Sequence, residues 1–538
     1  MEKIQTECAV IGAGFAGCTA ALELAEAGKK VGLFLKGKLI EDCTSNLTAG
    51  GLAAVAPFNK EDSFGKHIKD TLEAGKGLND IKVVEFCIKH FYSDVIEWLV
   101  KKGVKFDKTD GKYDLHEEGG HSARRVFHVR DKTGIAIMKI LGELIRKNPN
   151  ITVYEYYMAI DLITKHKFFS KQGKDRCLGL YVYDLNDRKV KTVESNAVFI
   201  STGGLGKVFL YTSNPDISTG DGFAMCYRAG LKLANMEFIQ FHPTVFYDEK
   251  ANPSERRFLF TEALRGEGAI LKLHKDSRED FVLNYHKLGS KATRDIVTRA
   301  EDIEMRKNGL KHVWLDCTGI DKEKLKTHFK NAYEFCLKKG IDLSKEPVPV
   351  VYAVHYSNGG VLVGKNGETE LAGCYVLGET SYTGLHGATR LASNSAPECI
   401  LFGKLAAKHF LSQKNEERLN VPLWNPGKVE DVKDQTTIEY YWETIRRTMT
   451  NLCGISRNKE RLEAAKEVLS ALNKDINAFY WNYVVTKDFL EVRNIADVAG
   501  IIVESALERK ESRACHFRED FPEQEDKYLN LTIVRRKT

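Results

Sequence analysis

The chain opens on an apolar run, Cys8-Ala9-Val10-Ile11, that stops at glycine. An Ala- and Leu-rich stretch follows from Cys18 to Ala27, and a second apolar run spans Val31 to Leu35. Short unbroken apolar runs on either side of a helical stretch are the pattern of buried parallel strands joined by a crossover helix, which predicts a right-handed βαβ unit. Two later segments repeat the strand design: Ala197 to Ile200 runs into Ser201-Thr202-Gly203-Gly204, and Gly373 to Leu377 runs into Gly378-Glu379. Glycines beyond a strand end admit a ligand at the carboxyl edge of a parallel sheet. If both segments join the first sheet, the stretch from Met236 to His355 is an insertion between them.

From Thr436 to Leu507 the period changes. Leu462, Ala465, Leu469, Leu472, Ile476 and Phe479 recur at spacings of three and four, and Phe489 to Leu507 behaves in the same way. Interruptions at Gly454 and at Val484 to Lys487 divide this region into a three-helix bundle, with Trp442 and Trp481 expected in its core. The expected fold class is α/β. A Rossmann-like nucleotide-binding domain occupies residues 1–235 and 356–422, an inserted domain residues 236–355, and a C-terminal helical domain residues 423–538.

Between the first strand and its helix stands Gly12-Ala13-Gly14-Phe15-Ala16-Gly17. In that position the three glycines have separate tasks: Gly12 permits the tight turn, Gly14 lets the backbone approach a pyrophosphate, and Gly17 lets helix and strand pack closely. The helix N-terminus then faces the negative charge. The acidic residue that usually closes the second strand of an NAD site is absent, since Leu35 and Lys36 stand there, so the choice of nucleotide stays open.

Length and composition narrow the class. At 538 residues two to four domains are expected. No 18 apolar residues run together and no charged start precedes an apolar core, so the reading is cytoplasmic, with no membrane segment. The twelve cysteines are scattered without a Cys-x-x-Cys pair, which indicates neither a zinc site nor a disulfide framework. A net charge of +6 is too small and dispersed to argue for nucleic acid.

Chemistry-bearing residues gather in five clusters far apart in sequence: Glu118-Gly119-Gly120-His121-Ser122 with Arg124 and Arg125; Gln240 to Thr244; Thr261 to Gly268; Arg294-Asp295; and His355 to Gly360 with Gly384 to Arg390. Histidines, arginines and hydroxyls beside glycines are a set able to clamp two carboxylates. Taken singly, each has a bland reading. His116-Glu117-Glu118-Gly119-Gly120-His121 lacks the helix that a zinc HExxH site needs, so no metal is expected there. Arg124, Arg125, His128 and Arg130 read as a solvated or ion-paired stretch, and His242 before Pro243 reads as a turn residue.

Jointly, the runs EGGHSARR, EFIQFHPT, TEALRGEGA, RDIVTRA, HYSNGG, GETSYTGLHGATRLASNS and RKESRACHF resemble the aspartate-oxidising branch of the succinate dehydrogenase and fumarate reductase flavoprotein family, over nearly the whole chain. The resemblance implies an FAD-binding domain, an inserted α+β capping domain and a C-terminal helical bundle. It assigns Ala13, Gly14, Phe15 and Ala16, Lys36, the run Thr44, Ser45, Asn46, Leu47, Thr48, Ala49, Gly50 and Gly51, and also Asp221, Glu379, Ser395 and Ala396 to FAD. His242, Thr261, His355 and Arg390 would hold substrate carboxylates. Arg294 would donate a proton when fumarate is the acceptor, and Glu118 would meet the substrate amino group. The implied reaction oxidises L-aspartate to iminoaspartate with oxygen or fumarate as acceptor. It is the first step of a route to NAD, which implies a functional link to quinolinate synthase.

The chain departs from the family at the flavin: Ala49 replaces a common glutamine, and Asn394-Ser395-Ala396-Pro397-Glu398 replaces Asn-Ser-Leu-Leu-Glu, although Ser395 and Glu398 keep capping-box spacing. Thr293 replaces a common proline. Covalent members attach flavin through a histidine before the glycine pair. Here Thr44 stands in that segment, and non-covalent FAD is expected. Two rivals stay open at this point: a fumarate reductase or succinate dehydrogenase flavoprotein, and a non-catalytic nucleotide-binding partner protein.

Overall fold

The computed structural model describes residues 2–48, 50–169, 171–250, 256–414, 419–431 and 435–536. Its central sheet has five parallel strands in the order Cys374–Val376, Ala197–Ile200, Cys8–Ile11, Val31–Leu35 and Ile151–Glu155. Both glycine-ended segments therefore join the first sheet, with Ile200 in register with Ile11 and Val376 with Ile200. The four apolar runs are buried along their length. The edge strand Ile151–Glu155 is mostly half-exposed, which explains why no apolar run announces it. Helix Phe15–Glu26 packs on helix Ser395–Ser412. The approach is close enough that a Cβ on Gly403 would lie 2.8 Å from the carbonyl oxygen of Ala16.

The chain between the last two strands of that sheet, in sequence order, contains a second sheet. Its strands are Ile239–Phe246, Val348–Ser357, Val313–Asp316 and Ile270–Lys272, all antiparallel, with helix Arg294–Asn308 against them. A further sheet, Lys3–Gln5, Lys189–Glu194, Cys177–Asp184 and Tyr157–Thr164, is built largely from adjacent hairpin strands.

The C-terminal helices are Thr436–Leu452, Lys459–Asn482 and Lys487–Glu508. Leu462, Ala465, Leu469, Leu472 and Ile476 form the buried stripe, as their spacing requires. The core assignment of Trp481 is corrected: it is 73% exposed. Tyr480, four residues after Ile476, continues the stripe, so the next residue points away. Trp442 is partly buried against the core.

Beyond Glu508 the chain folds back. Leu233 and Ala234 pair antiparallel with Val534 and Ile533, and Arg509, Glu511, Arg513 and Arg518 are buried, with Arg509 paired to Glu237. A reading by hydrophobic period gives no warning of this segment, because buried charge pairs hold much of it and Val534 is a single apolar anchor.

Candidate active site

Gly12, with φ of 93°, turns the chain out of the first strand, and a Cβ there would lie 2.3 Å from the carbonyl oxygen of Ser201. A Cβ on Gly17 would meet the Gly12 oxygen at 2.0 Å. Helix Phe15–Glu26 starts from Gly14 with no side-chain cap and no acidic residue in its first turn. Uncapped amides at a helix N-terminus favour an anion. Ala13 and Ala16 are buried at the same turn, and the Phe15 amide donates to Ser45 Oγ at 3.0 Å.

Ser45 belongs to the short turn Thr44–Leu47, in which the buried Asn46 Oδ1 has no hydrogen-bond partner. The carbonyl of Thr48 accepts from Gly134. Ala49 lies outside the described residues. The glycine pair is tightly enclosed: a Cβ on Gly51 would lie 2.1 Å from the Phe127 oxygen, and one on Gly50 would lie 2.6 Å from Glu118 Oε1. A glycine turn, a helix start without an acidic residue in its first turn and an orphaned acceptor all suit a dinucleotide, so these residues fit FAD.

Lys36 and Asp221 are brought together. Lys36 Nζ lies 2.9 Å from Asp221 Oδ2, 3.0 Å from Glu491 and 2.6 Å from Thr219 Oγ1. Burial pulls the lysine pKa down, but the two carboxylates outweigh it and hold it above the ordinary value. Asn494 donates to Asp221 Oδ1 at 2.8 Å. Glu491 and Asn494 come from the C-terminal bundle, and sequence reading did not connect them to this edge.

Glu379 accepts from the Ser357 amide at 3.0 Å. Burial pushes its carboxyl up to about 7, and Ser357 and Arg390 offset only part of that. A Cβ on Gly204 would meet Glu379 Oε1 at 2.4 Å, which explains the glycine there. The capping-box expectation at Ser395 is corrected. Asn394, at the N-cap, makes no side-chain cap bond, and Glu398 instead accepts from Thr383 at 2.6 Å and contacts His386 Nε2 at 2.8 Å. Ser395 Oγ accepts from Arg390 Nη1 at 2.8 Å. Ala396 follows in the buried first turn.

Of the remaining candidates, His242, His355, Arg294, Arg390 and Glu118 are electrostatic neighbours, and Thr261 adjoins Glu262, the partner of Arg294. His242 and His355 lie on paired strands, with ring centroids 5.7 Å apart. The Thr244 amide donates to His242 Nδ1 at 3.3 Å, while the buried Nε2 has no partner. His355 Nδ1 lies 2.8 Å from Ser213 Oγ. Burial, then the neighbouring arginines, hold both histidines well below their usual pKa, so both are neutral. Arg390 lies 4.2 Å above the ring of Tyr356, and its Nε is buried without a partner.

Arg294 Nε donates to Glu262 Oε2 at 2.6 Å, and Glu262 Oε1 lies 3.3 Å from Arg265 Nη2. Glu262, the bridge between two arginines, was not singled out from sequence, since nothing in TEALRGEGA distinguishes it from Glu267. Thr261 is exposed and caps helix Glu262–Gly266 by accepting from the Ala263 amide. Thr293 Oγ1 donates to Asp295 and does not cap the helix that begins at Arg294.

Glu118 accepts from Ser393 Oγ at 2.6 Å and acts electrostatically on Arg390. It has no bond to Arg124, whose Nε donates to the Leu115 oxygen. Arg125 is fully buried between Asp62 and Asp70, so that pair of arginines does not claim Glu118.

The family model for the FAD binding domain matches residues 7–396, and that for the fumarate reductase flavoprotein C-terminal domain matches residues 442–538. The L-aspartate oxidase 1 of Ralstonia nicotianae is 42% identical over 522 residues, covering 96% of each chain. The chain belongs to the L-aspartate oxidase family. A relative from Yersinia pestis, also an L-aspartate oxidase, is 43% identical with the same coverage. Among solved structures, the E. coli quinol fumarate reductase superposes with a TM-score of 0.85 at 27% identity, covering 100% of this chain and 95% of that one. The family's cofactor is FAD, and non-covalent binding agrees with the absence of histidine before Lys66. Among the described residues no helix is long and apolar enough to cross a membrane.

Proposed function

We propose that the protein oxidises L-aspartate to iminoaspartate and that its reduced flavin passes electrons to oxygen or fumarate. Bound FAD supplies the hydride acceptor. Cα gives up a hydride and the nitrogen a proton as the carbon–nitrogen double bond forms. Arg390, with a free buried Nε, and Arg294 each offer a cationic fork to a carboxylate. Neutral His242 keeps a buried, unpartnered Nε2 in the neighbourhood of Arg294 and His355, so toward a carboxylate there it would add a hydrogen bond without a second charge to desolvate. Fixing both carboxylates fixes the direction of the Cα hydrogen.

The observation that carries aspartate over succinate is Glu118. A carboxylate held by Ser393 beside Arg390 favours an ammonium on the substrate and repels a plain dicarboxylate. With fumarate as acceptor, the Arg265–Glu262–Arg294 chain offers Arg294 a path to regain a proton. A cytoplasmic location and a functional link to quinolinate synthase accompany this reading. Anaerobic mixing of the FAD-loaded protein with L-aspartate, D-aspartate and succinate in turn tests it: L-aspartate bleaches the flavin fastest, and faster bleaching by succinate overturns the assignment.

A further inference from the structure

The sequence run His116 to His121 suggests a metal only to withdraw it, and the structure separates that pair. His121 Nε2 turns to the Ala392 oxygen at 2.9 Å and its Nδ1 to Arg125. His116 meets a different histidine. Its ring stacks on that of His128 with centroids 3.5 Å apart and planes at 22°. Asp114 Oδ2 completes the group, 3.8 Å from His128 Nε2 and 4.0 Å from His116 Nε2.

We propose that Asp114, His116 and His128 bind one divalent transition-metal ion, zinc by preference, at the base of the hairpin that carries Glu118. One ligand atom from each residue lies within 4.8 Å of the others. Independently, His128 is only 4% exposed and, among the described residues, neither of its ring nitrogens has a hydrogen-bond partner. A buried imidazole left unsatisfied at both nitrogens is rare and calls for a specific explanation, such as an ion. Its Nδ1 faces Asp107 Oδ2 at 3.4 Å, and Asp107 is itself anchored by the Arg130 amide at 2.6 Å. A carboxylate behind one histidine nitrogen orients the other toward a metal and fixes its tautomer.

Two imidazoles and one carboxylate, with water completing the shell, suit zinc and its transition-metal neighbours and not magnesium or calcium. Metal–ligand distances of about 2.0–2.2 Å require the ligand atoms to close up. Asp114 and His116 are only partly buried or exposed and have room to rotate. Strands Leu115–His116 and Val126–Phe127 pair antiparallel, with His116 opposite Val126. An ion bridging His116 to His128 would tie the two ends of the loop holding Glu118, His121 and Arg125, making it a structural staple and not a participant in the redox step.

The test is equilibrium dialysis of chelator-treated, FAD-loaded protein against zinc alone, with bound metal measured by atomic absorption. The wild type takes up one equivalent. His116→Ala and Asp114→Asn each weaken that binding at least about tenfold, while flavin content stays the same. Asp107→Asn, which removes only the outer carboxylate, weakens it by roughly 10–100-fold. Zinc raises the thermal midpoint of the wild type and not that of His116→Ala. His128 is buried, so the exposed His116 and the partly buried Asp114 carry the result. Unchanged uptake in both of those variants, which would place zinc on cysteines or elsewhere, overturns the proposal, as does no uptake by the wild type.

Discussion

Where the C-terminal segment folds back, each guanidinium nitrogen of Arg513 and Arg518 has a protein partner. Arg513 is bonded to Glu511, the Lys76 oxygen and the Glu525 oxygen, and Arg518 to Asp520 and the Ala506 oxygen. At the junction of the inserted sheet and the nucleotide edge, Arg390 has one good hydrogen bond, to Ser395. Its remaining polar contact, with Gln240, is long at 3.4 Å. Among the described residues its Nε has none, and no carboxylate bonds to it. Burial lowers the pKa of Arg390, whereas Glu511, among its arginines, stays below the usual carboxylate range despite burial. A buried cation costs free energy unless paired. One region meets that cost within the fold, and the other leaves it for a ligand to offset.

The largest expected effects test that division directly. Arg390→Leu or Arg294→Leu should remove about 3–5 kcal/mol of substrate stabilisation, a loss of at least about a hundredfold in kcat/KM, with FAD still bound. Normal aspartate turnover by Arg294→Leu would remove it from the site. Arg513→Leu should cost about 1.5–3 kcal/mol, but from folding, because the buried Glu511 loses the Arg513 bonds and keeps only Arg509 and the Glu525 amide. Thermal midpoint and KM separate the two cases: the midpoint falls and KM holds.

Next comes Glu118→Gln, which keeps shape and removes charge. Aspartate oxidation should lose roughly 2–4 kcal/mol of transition-state stabilisation, while fumarate reduction with an artificial donor persists or improves. Equal losses in both activities would show that Glu118 supports the fold or the flavin.

A smaller effect is the pH response of Glu379. Its folded pKa is pushed up to about 7 from an ordinary 4.5. The flavin-free folded protein therefore keeps a proton that the unfolded chain releases. The associated stability is complete below pH 4.5 and is lost as pH rises to about 7. The midpoint of flavin-free protein should fall between pH 5 and 7 on this account, and Glu379→Gln should flatten that fall. A slope unchanged by the substitution would assign it to other groups. The smallest effect belongs to the exposed Arg124: Arg124→Ala should alter stability by no more than about 0.5 kcal/mol, in contrast to its fully buried neighbour Arg125. A large loss in turnover would reopen a pairing with Glu118.

Much of this was legible along the chain. The glycine turn, the four apolar strands and the buried stripe from Leu462 to Ile476 follow from period and from the steric demands of glycine, which are local. The clusters around His242, Arg294, His355 and Arg390 were legible as residue types suited to carboxylates. Less visible was what each of them touches. Tyr356 under Arg390, Ser393 on Glu118 and Glu262 between two arginines are contacts made through space.

The sequence by itself determined the four apolar strands and the opening βαβ unit of the nucleotide half, the helical period of the C-terminal region and the chemical character of the site, because each rests on residue identity at short spacing. Only the tertiary structure decided that Glu491 and Asn494 of the last helix reach Lys36 and Asp221, that His116 meets His128 instead of His121, and that Arg509 of the charged tail pairs with the buried Glu237. The physical reason is that burial and pairing of charge depend on what the fold places opposite a side chain, and residues hundreds of positions apart leave no periodic trace of meeting.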